Sequence, residues 1–132
     1  MTRPGRATAT IVVAGSWVNA SEFFRNQLLL RPRWLEHYRS LGLRFPDAPV
    51  NAAMWVVWGF LFAAAVFGLS RRFGPVRTTL LGWLMGFVLM WVVTWDLGVL
   101  PIGGLPAAVP LSLLETAVAS LICARMAPVR GG

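Results

Sequence analysis

VNAAMWVVWGFLFAAAVFGLS, Val50 to Ser70, runs through without a single charged side chain. Wound as an α-helix at about 1.5 Å per residue, it spans roughly the 30 Å of a bilayer's hydrocarbon core. A core helix of a water-soluble domain has no need of that length. Thr78 to Trp95 and Leu97 to Leu114 are also free of charge. In a chain of 132 residues that is 57% hydrophobic, these runs read as membrane spans.

Working outward, four spans are expected, at about 8–30, 50–70, 78–98 and 106–125. The predicted fold is all-α: one integral membrane domain, a four-helix bundle. RPRWLEHYRSLGLRFPDAP, residues 31–49, is too charged to span. Pro32 and Pro46 bracket a short helix there, and Trp34, Tyr38, Leu41, Leu43 and Phe45 would hold it at the membrane surface. SRRFGPVRT, residues 70–78, is a short basic turn, whereas DLGVLPIGGLPAAVP, residues 96–110, is rich in Gly and Pro and can dip into the interface. Arg3 and Arg6 before a modest apolar stretch, with VNA at 18–20, vaguely resemble a secretory signal. The expectation is that this segment is retained. The two halves show no repeat, so an inverted-repeat transporter in one copy is not expected.

All twelve basic residues are arginine, and they flank the apolar runs. A nucleic-acid binder would gather such charge into one folded patch, so no nucleic-acid partner is expected. Flanking arginines act instead as topology signals and anionic-lipid contacts. With both termini cytoplasmic, Arg3, Arg6, Arg71, Arg72, Arg77, Arg125 and Arg130 lie inside and Arg31, Arg33, Arg39 and Arg44 outside. The expected location is the inner (plasma) membrane in that orientation. The chain has one cysteine, Cys123, and one histidine, His37, too few for a disulfide within the chain, a cysteine-rich zinc site or a bis-histidine haem. No cofactor is expected.

The first span is unusual in carrying polar groups. At about 100° per residue, Thr8, Gly15, Asn19, Glu22 and Asn26 share an arc of about 60°, opposite Val13, Trp17, Phe24 and Leu28. Ser16 lies off this stripe and is expected to bond back to its own helix. Arg25 is placed either to pair with Glu22 or to reach the headgroups on its long stem. Asn51, Trp55, Trp58 and Phe62 share a face of the second span. Trp91, Trp95 and Asp96 lie near the end of the third, and Glu115 lies near the middle of the fourth.

Asn19, Glu22, Asn26, Asn51, Trp55, Trp58, Trp91, Trp95, Asp96 and Glu115 are therefore expected in one half of the bilayer, as a candidate ligand site. A carboxylate in hydrocarbon needs a partner, a water-filled cavity or a functional path. Indole faces beside it would favour a cation. Structural alternatives stand beside these readings: an interfacial tryptophan belt, a Glu22–Arg25 pair, and a solvated helix end for Asp96. Glu115 has no basic residue near it in sequence.

Small residues mark close helix contacts: Gly82 with Gly86, Gly59 with Ala63, Ala64 with Gly68, and the Ser112, Thr116, Ala119, Cys123 face. Catalytic signals are weak. His37 stands beside Glu36 in a surface segment, no serine has a nucleophile-elbow context, and the acidic residues lack metal-ligand spacing. In length, helix number and a carboxylate on the first helix, the chain resembles the small multidrug resistance exporters in outline only. Glu22 comes late in its helix and a long basic segment follows it, so no residue role is carried over.

The leading functional expectation is a binding or transport protein for protons, small cations or cationic amphiphiles, forming a homo-oligomer. The alternatives are an accessory or assembly subunit of a larger membrane complex, and an intramembrane enzyme using Glu22 and Glu115 on a lipid or isoprenoid.

Overall fold

The computed structural model describes residues 3–129, and its regular structure is entirely helical. Helix α1 (Arg3–Glu22) passes without a break into a π-helical segment, Phe23–Leu29, closed by the Leu30 N–H donating to the Arg25 carbonyl at 2.8 Å. The short helix α2 (Arg31–Ser40) follows, with Pro32 in its first turn, where a missing N–H costs nothing. Next come α3 (Pro49–Ser70), α4 (Pro75–Trp83), a second π segment (Leu84–Val88) and α5 (Leu89–Asp96). A 3₁₀ turn, Ile102–Gly104, leads into α6 (Leu105–Met126), which carries Pro110 in its interior.

Two glycines close helices. Gly42 (φ 69°) and Gly98 (φ 74°) adopt the left-handed conformation just past α2 and α5. In each case two N–H groups turn back onto the last carbonyls: Gly42 to Arg39 and Leu43 to Tyr38, Gly98 to Trp95 and Val99 to Thr94. This is the Schellman closure, which stops a helix where a side chain would be strained.

Three helices are long and apolar enough to cross a membrane: Pro49–Ser70, Pro75–Asp96 and Ile102–Met126. They match the three later expected spans within a few residues. The first expected span, 8–30, is also a long helix, but it starts at Arg3, and its polar side chains hold it below the apolarity of the others. Arg130, counted among the inside arginines, lies outside the described residues.

Helix α1 packs against α3 and α6, and α4 against α6 and α3. The shared core is built on Phe87, from the second π segment, with Val18, Phe62, Val66, Ala119 and Cys123 around it. Ring edges meet ring faces here: Phe87 stands nearly perpendicular to Phe62 at 5.4 Å and to Trp58 at 5.7 Å, the geometry that the aromatic quadrupole favours. Hydroxyls within the helices bond back to their own carbonyls, Thr10 to Arg6, Ser16 to Val12 and Thr116 to Ser112 among them. Such bonds satisfy these hydroxyls within the helix itself. The large apolar side chains Val12 and Val13 of α1 and Phe23, Phe24 and Leu28 of the π segment are exposed, beside the exposed hydroxyl residues Thr8 and Ser16.

Two expectations for α1 shift. Thr8 is exposed and donates to the Pro4 carbonyl, so the inward hydroxyl is that of Thr10. Trp17 is half-buried, its indole N–H donating to the Glu115 backbone carbonyl at 2.9 Å, so it packs on α6.

The glycine pairs differ in use. A Cβ at Gly82 would lie 3.2 Å from the Thr116 methyl and 3.4 Å from Val66, whereas Gly68 has nothing within 4 Å. Gly82→Leu should therefore force α4 off α6 and destabilise the protein by about 1–3 kcal/mol. Gly68→Leu should change stability by less than about 0.5 kcal/mol. Thermal unfolding in detergent, followed by circular dichroism, measures both; equal effects would show that Gly82 is not a close contact.

Candidate functional site

The π segment after α1 brings Glu22, Arg25 and Asn26 to one place. Glu22 and Arg25 are 5% and 4% exposed, and Glu115, reaching in from α6, is 1% exposed. Arg25 is held between the two carboxylates. Its Nη2 donates to Glu22 Oε1, and its Nη1 lies 3.5 Å from Glu115 Oε1. Its guanidinium carbon sits 5.0 Å from the centre of the Phe87 ring. Desolvated, such a cation–aromatic contact is worth about 2 kcal/mol.

The network continues toward the surface. Asn26 Nδ2 donates to Glu22 Oε2 at 2.9 Å, and Asn26 Oδ1 accepts from the Trp34 indole at 3.3 Å. In the other direction it ends abruptly: neither oxygen of Glu115 accepts a hydrogen bond among the described residues. The fully ionised triad carries two negative charges against one positive. A net charge in a low-dielectric interior has to be balanced nearby.

Above Glu22, Arg25 and Asn26 opens a cavity of ≈ 390 Å³, within the range of small-molecule sites. Gln27 and Asn51 add polar groups to its lining, and its walls are aromatic: Trp55 and Trp58 from α3, Trp91 from α5, and Trp34, Tyr38 and Phe45 from the 31–49 segment. The last three rings form a cluster of their own, Phe45 meeting Tyr38 edge-on at 5.2 Å and Trp34 at 6.2 Å. His37 fastens this segment to the far loop, its Nε2 lying 2.8 Å from the Gly98 carbonyl. The 31–49 segment thus roofs the cavity, beyond the anchoring expected of it.

Of the residues singled out from sequence, Glu22, Asn26, Asn51, Trp55, Trp58 and Trp91 line this cavity. The others lie elsewhere. Asn19 donates to the carbonyls of Gly15 (3.0 Å) and Val56 (3.4 Å), tying α1 to α3 across Gly59, where a Cβ would come within 2.6 Å of its amide. Trp95 is 61% exposed, and Asp96 is exposed at the end of α5, away from the lining. Glu115 is not a lining residue and touches the site through Arg25. Polar and aromatic cavity residues absent from the sequence-based set include Arg25, Gln27, Trp34, Tyr38 and Phe45. The i, i+4 spacing of Trp34 and Tyr38 was the available signal for a shared ring face.

Among the described residues, no three His, Cys, Asp or Glu side chains gather as metal ligands would. Comparison with protein-family models, curated proteins and solved structures finds no match for this chain.

Removing Arg25 alone would leave two buried carboxylates facing each other. Arg25→Gln should destabilise the protein by about 3–5 kcal/mol, the cost of breaking one side of a buried ion pair. The triple substitution Glu22→Gln/Arg25→Gln/Glu115→Gln, uncharged and similar in shape, should recover most of that loss. Unfolding midpoints in one detergent decide it: a triple variant no more stable than Arg25→Gln would mean that the charges do not act as a unit.

Proposed function

We propose that the chain is an integral membrane protein of four helices, with α2 at the surface, that binds a cationic amphiphile in the aromatic cavity. The fourth span is α1. Its support is an inside-out polarity from residue 12 onward: Val12, Val13, Phe23, Phe24, Leu28 and Leu29 are exposed, the exposed Ser16 hydroxyl bonds back to the Val12 carbonyl, and Glu22 and Arg25 are buried. Water would reward the reverse arrangement, and lipid rewards this one. The 31–44 arginines would then lie on one side of an inner membrane and the arginine-rich ends of the chain on the cytoplasmic side.

The observation that carries the ligand reading is the acidic network beneath aromatic walls. Glu22 lines the cavity, shares the single cation Arg25 with Glu115, and lies below a site walled by indole and phenol rings. Cations are attracted both by carboxylate and by ring faces. The walls are predominantly apolar, which calls for a ligand with substantial hydrocarbon, taken up from the bilayer. Free protons and small inorganic cations would make no use of those rings. Release of the amphiphile to the far side would make the protein a transporter, and its retention a binding protein; both begin with this complex.

Dodecyltrimethylammonium, with dodecanol as a neutral probe of the same chain length, tests the reading. Tryptophan fluorescence of the purified protein should report tighter binding of the cation by at least about tenfold, the size of one desolvated cation–π contact. Glu22→Gln should abolish that preference, and Trp55→Leu should weaken both probes. Equal affinity for the two probes in the unmodified protein would overturn the cationic assignment.

A further inference from the structure

The opposite end of the molecule holds a second, different site. Helix α3 ends at Ser70, α4 begins at Pro75, and α6 ends at Met126, so three membrane-crossing helices terminate at one level. At that level lies a groove of ≈ 430 Å³ lined by Arg3, Arg6, Ala7, Phe67, Arg71 and the Ala127–Val129 segment. It pairs three guanidiniums with an apolar base at Ala7 and Phe67.

Among the described residues, no carboxylate lines this groove. The chain has five acidic residues: Glu22 and Glu115 are committed to Arg25, Glu36 and Asp47 lie in or beside α2, and Asp96 closes α5. Those last three belong to the other end of the spans. The start of α1 adds the positive end of its helix dipole. Arg71 is also pre-positioned, bonded to the Ala127 carbonyl and lying 5.4 Å from the centre of the Phe67 ring. Three cations therefore converge at headgroup depth without an internal counter-ion among the described residues.

We propose that this groove seats the phosphate of an anionic phospholipid, with Arg3, Arg6 and Arg71 on the phosphate oxygens and an acyl chain along Ala7 and Phe67. Guanidinium is the donor best matched to phosphate, whose oxygens it engages in pairs. The apolar base selects a lipid headgroup over a free phosphate ion. Arg72 and Arg77 lie at the same end, exposed and outside the groove, and supply only diffuse attraction.

Native mass spectrometry of the protein released from mixed phosphatidylcholine and phosphatidylglycerol nanodiscs tests the proposal. The unmodified protein should retain phosphatidylglycerol several-fold above its share of the bilayer. Arg3→Gln/Arg6→Gln should bring that enrichment down to about the bilayer share, because the guanidinium donors to the phosphate oxygens are lost. Arg72→Gln/Arg77→Gln, with the same change in charge, should retain it. Inorganic phosphate added at millimolar concentration should leave the lipid bound. Absence of enrichment in the unmodified protein, equal losses in the two double variants, or displacement by inorganic phosphate would each overturn the proposal. The enrichment measured on the unmodified protein stands whether or not a variant folds.

Discussion

A single guanidinium between two buried carboxylates constrains the helices that surround it. Arg25 cannot leave the interior without stranding Glu22 and Glu115, and neither carboxylate has another cation beside it. Since Glu22 and Arg25 belong to the α1 rod and Glu115 to α6, their pairing fixes how those helices face one another. The rest of α1 follows from that orientation. Asn19 turns to α3, Trp17 leans on α6, and the Val and Phe side chains are left on the outside. In the lipid setting proposed for α1, with no water to solvate a stray charge, this inward demand outweighs any preference of individual apolar residues.

The triad also explains why the helices depart from regular winding where they do. Arg25 lies in one π segment and Phe87, over whose ring it sits, lies in the other. Each π turn shifts the phase of the helix and widens it locally, and such turns gather at functional sites. Here they bring a cation and a ring into register between two rods, which leaves open space above. The aromatic cavity occupies that space, roofed by a segment closed at Gly42 and fastened to the loop at Gly98.

Much of this was legible in the sequence because lipid imposes simple rules. Three spans followed from uncharged length alone, and Pro and Gly marked their ends to within a few residues. Glu22, Asn26, Asn51, Trp55 and Trp58 could be grouped because each sits on a polar or aromatic stripe with regular helical spacing, and Trp91 because of its depth near the end of its span. Arg25 was legible as a partner of Glu22, but not as a cavity residue, because helical projection assumes uniform winding and a long arginine stem near a helix end ordinarily reaches water. Trp34, Tyr38 and Phe45 read as surface anchors, since composition cannot tell a ring lying on lipid from one leaning over a cavity. Trp95 and Asp96 had the right height and the wrong azimuth. Depth is readable from residue count, but direction around the axis needs the packing partner. Gly82 and Gly68 teach the same lesson: the same small residue is a close contact in one case and bare surface in the other.

Stability alone does not account for the triad. Replacing a buried ionic group with apolar side chains of similar volume is often neutral or stabilising. Leu or Met at positions 22, 25 and 115 would spare the desolvation of three charges, and the surrounding helices are already rich in apolar contacts. What apolar residues could not supply is a polar floor to the cavity, continued through Asn26 to the Trp34 indole at its roof. On the proposed reading, a cationic ligand adds to what the pairing of α1 with α6 recovers of the cost of burying these groups, and the cavity is where the network meets open space.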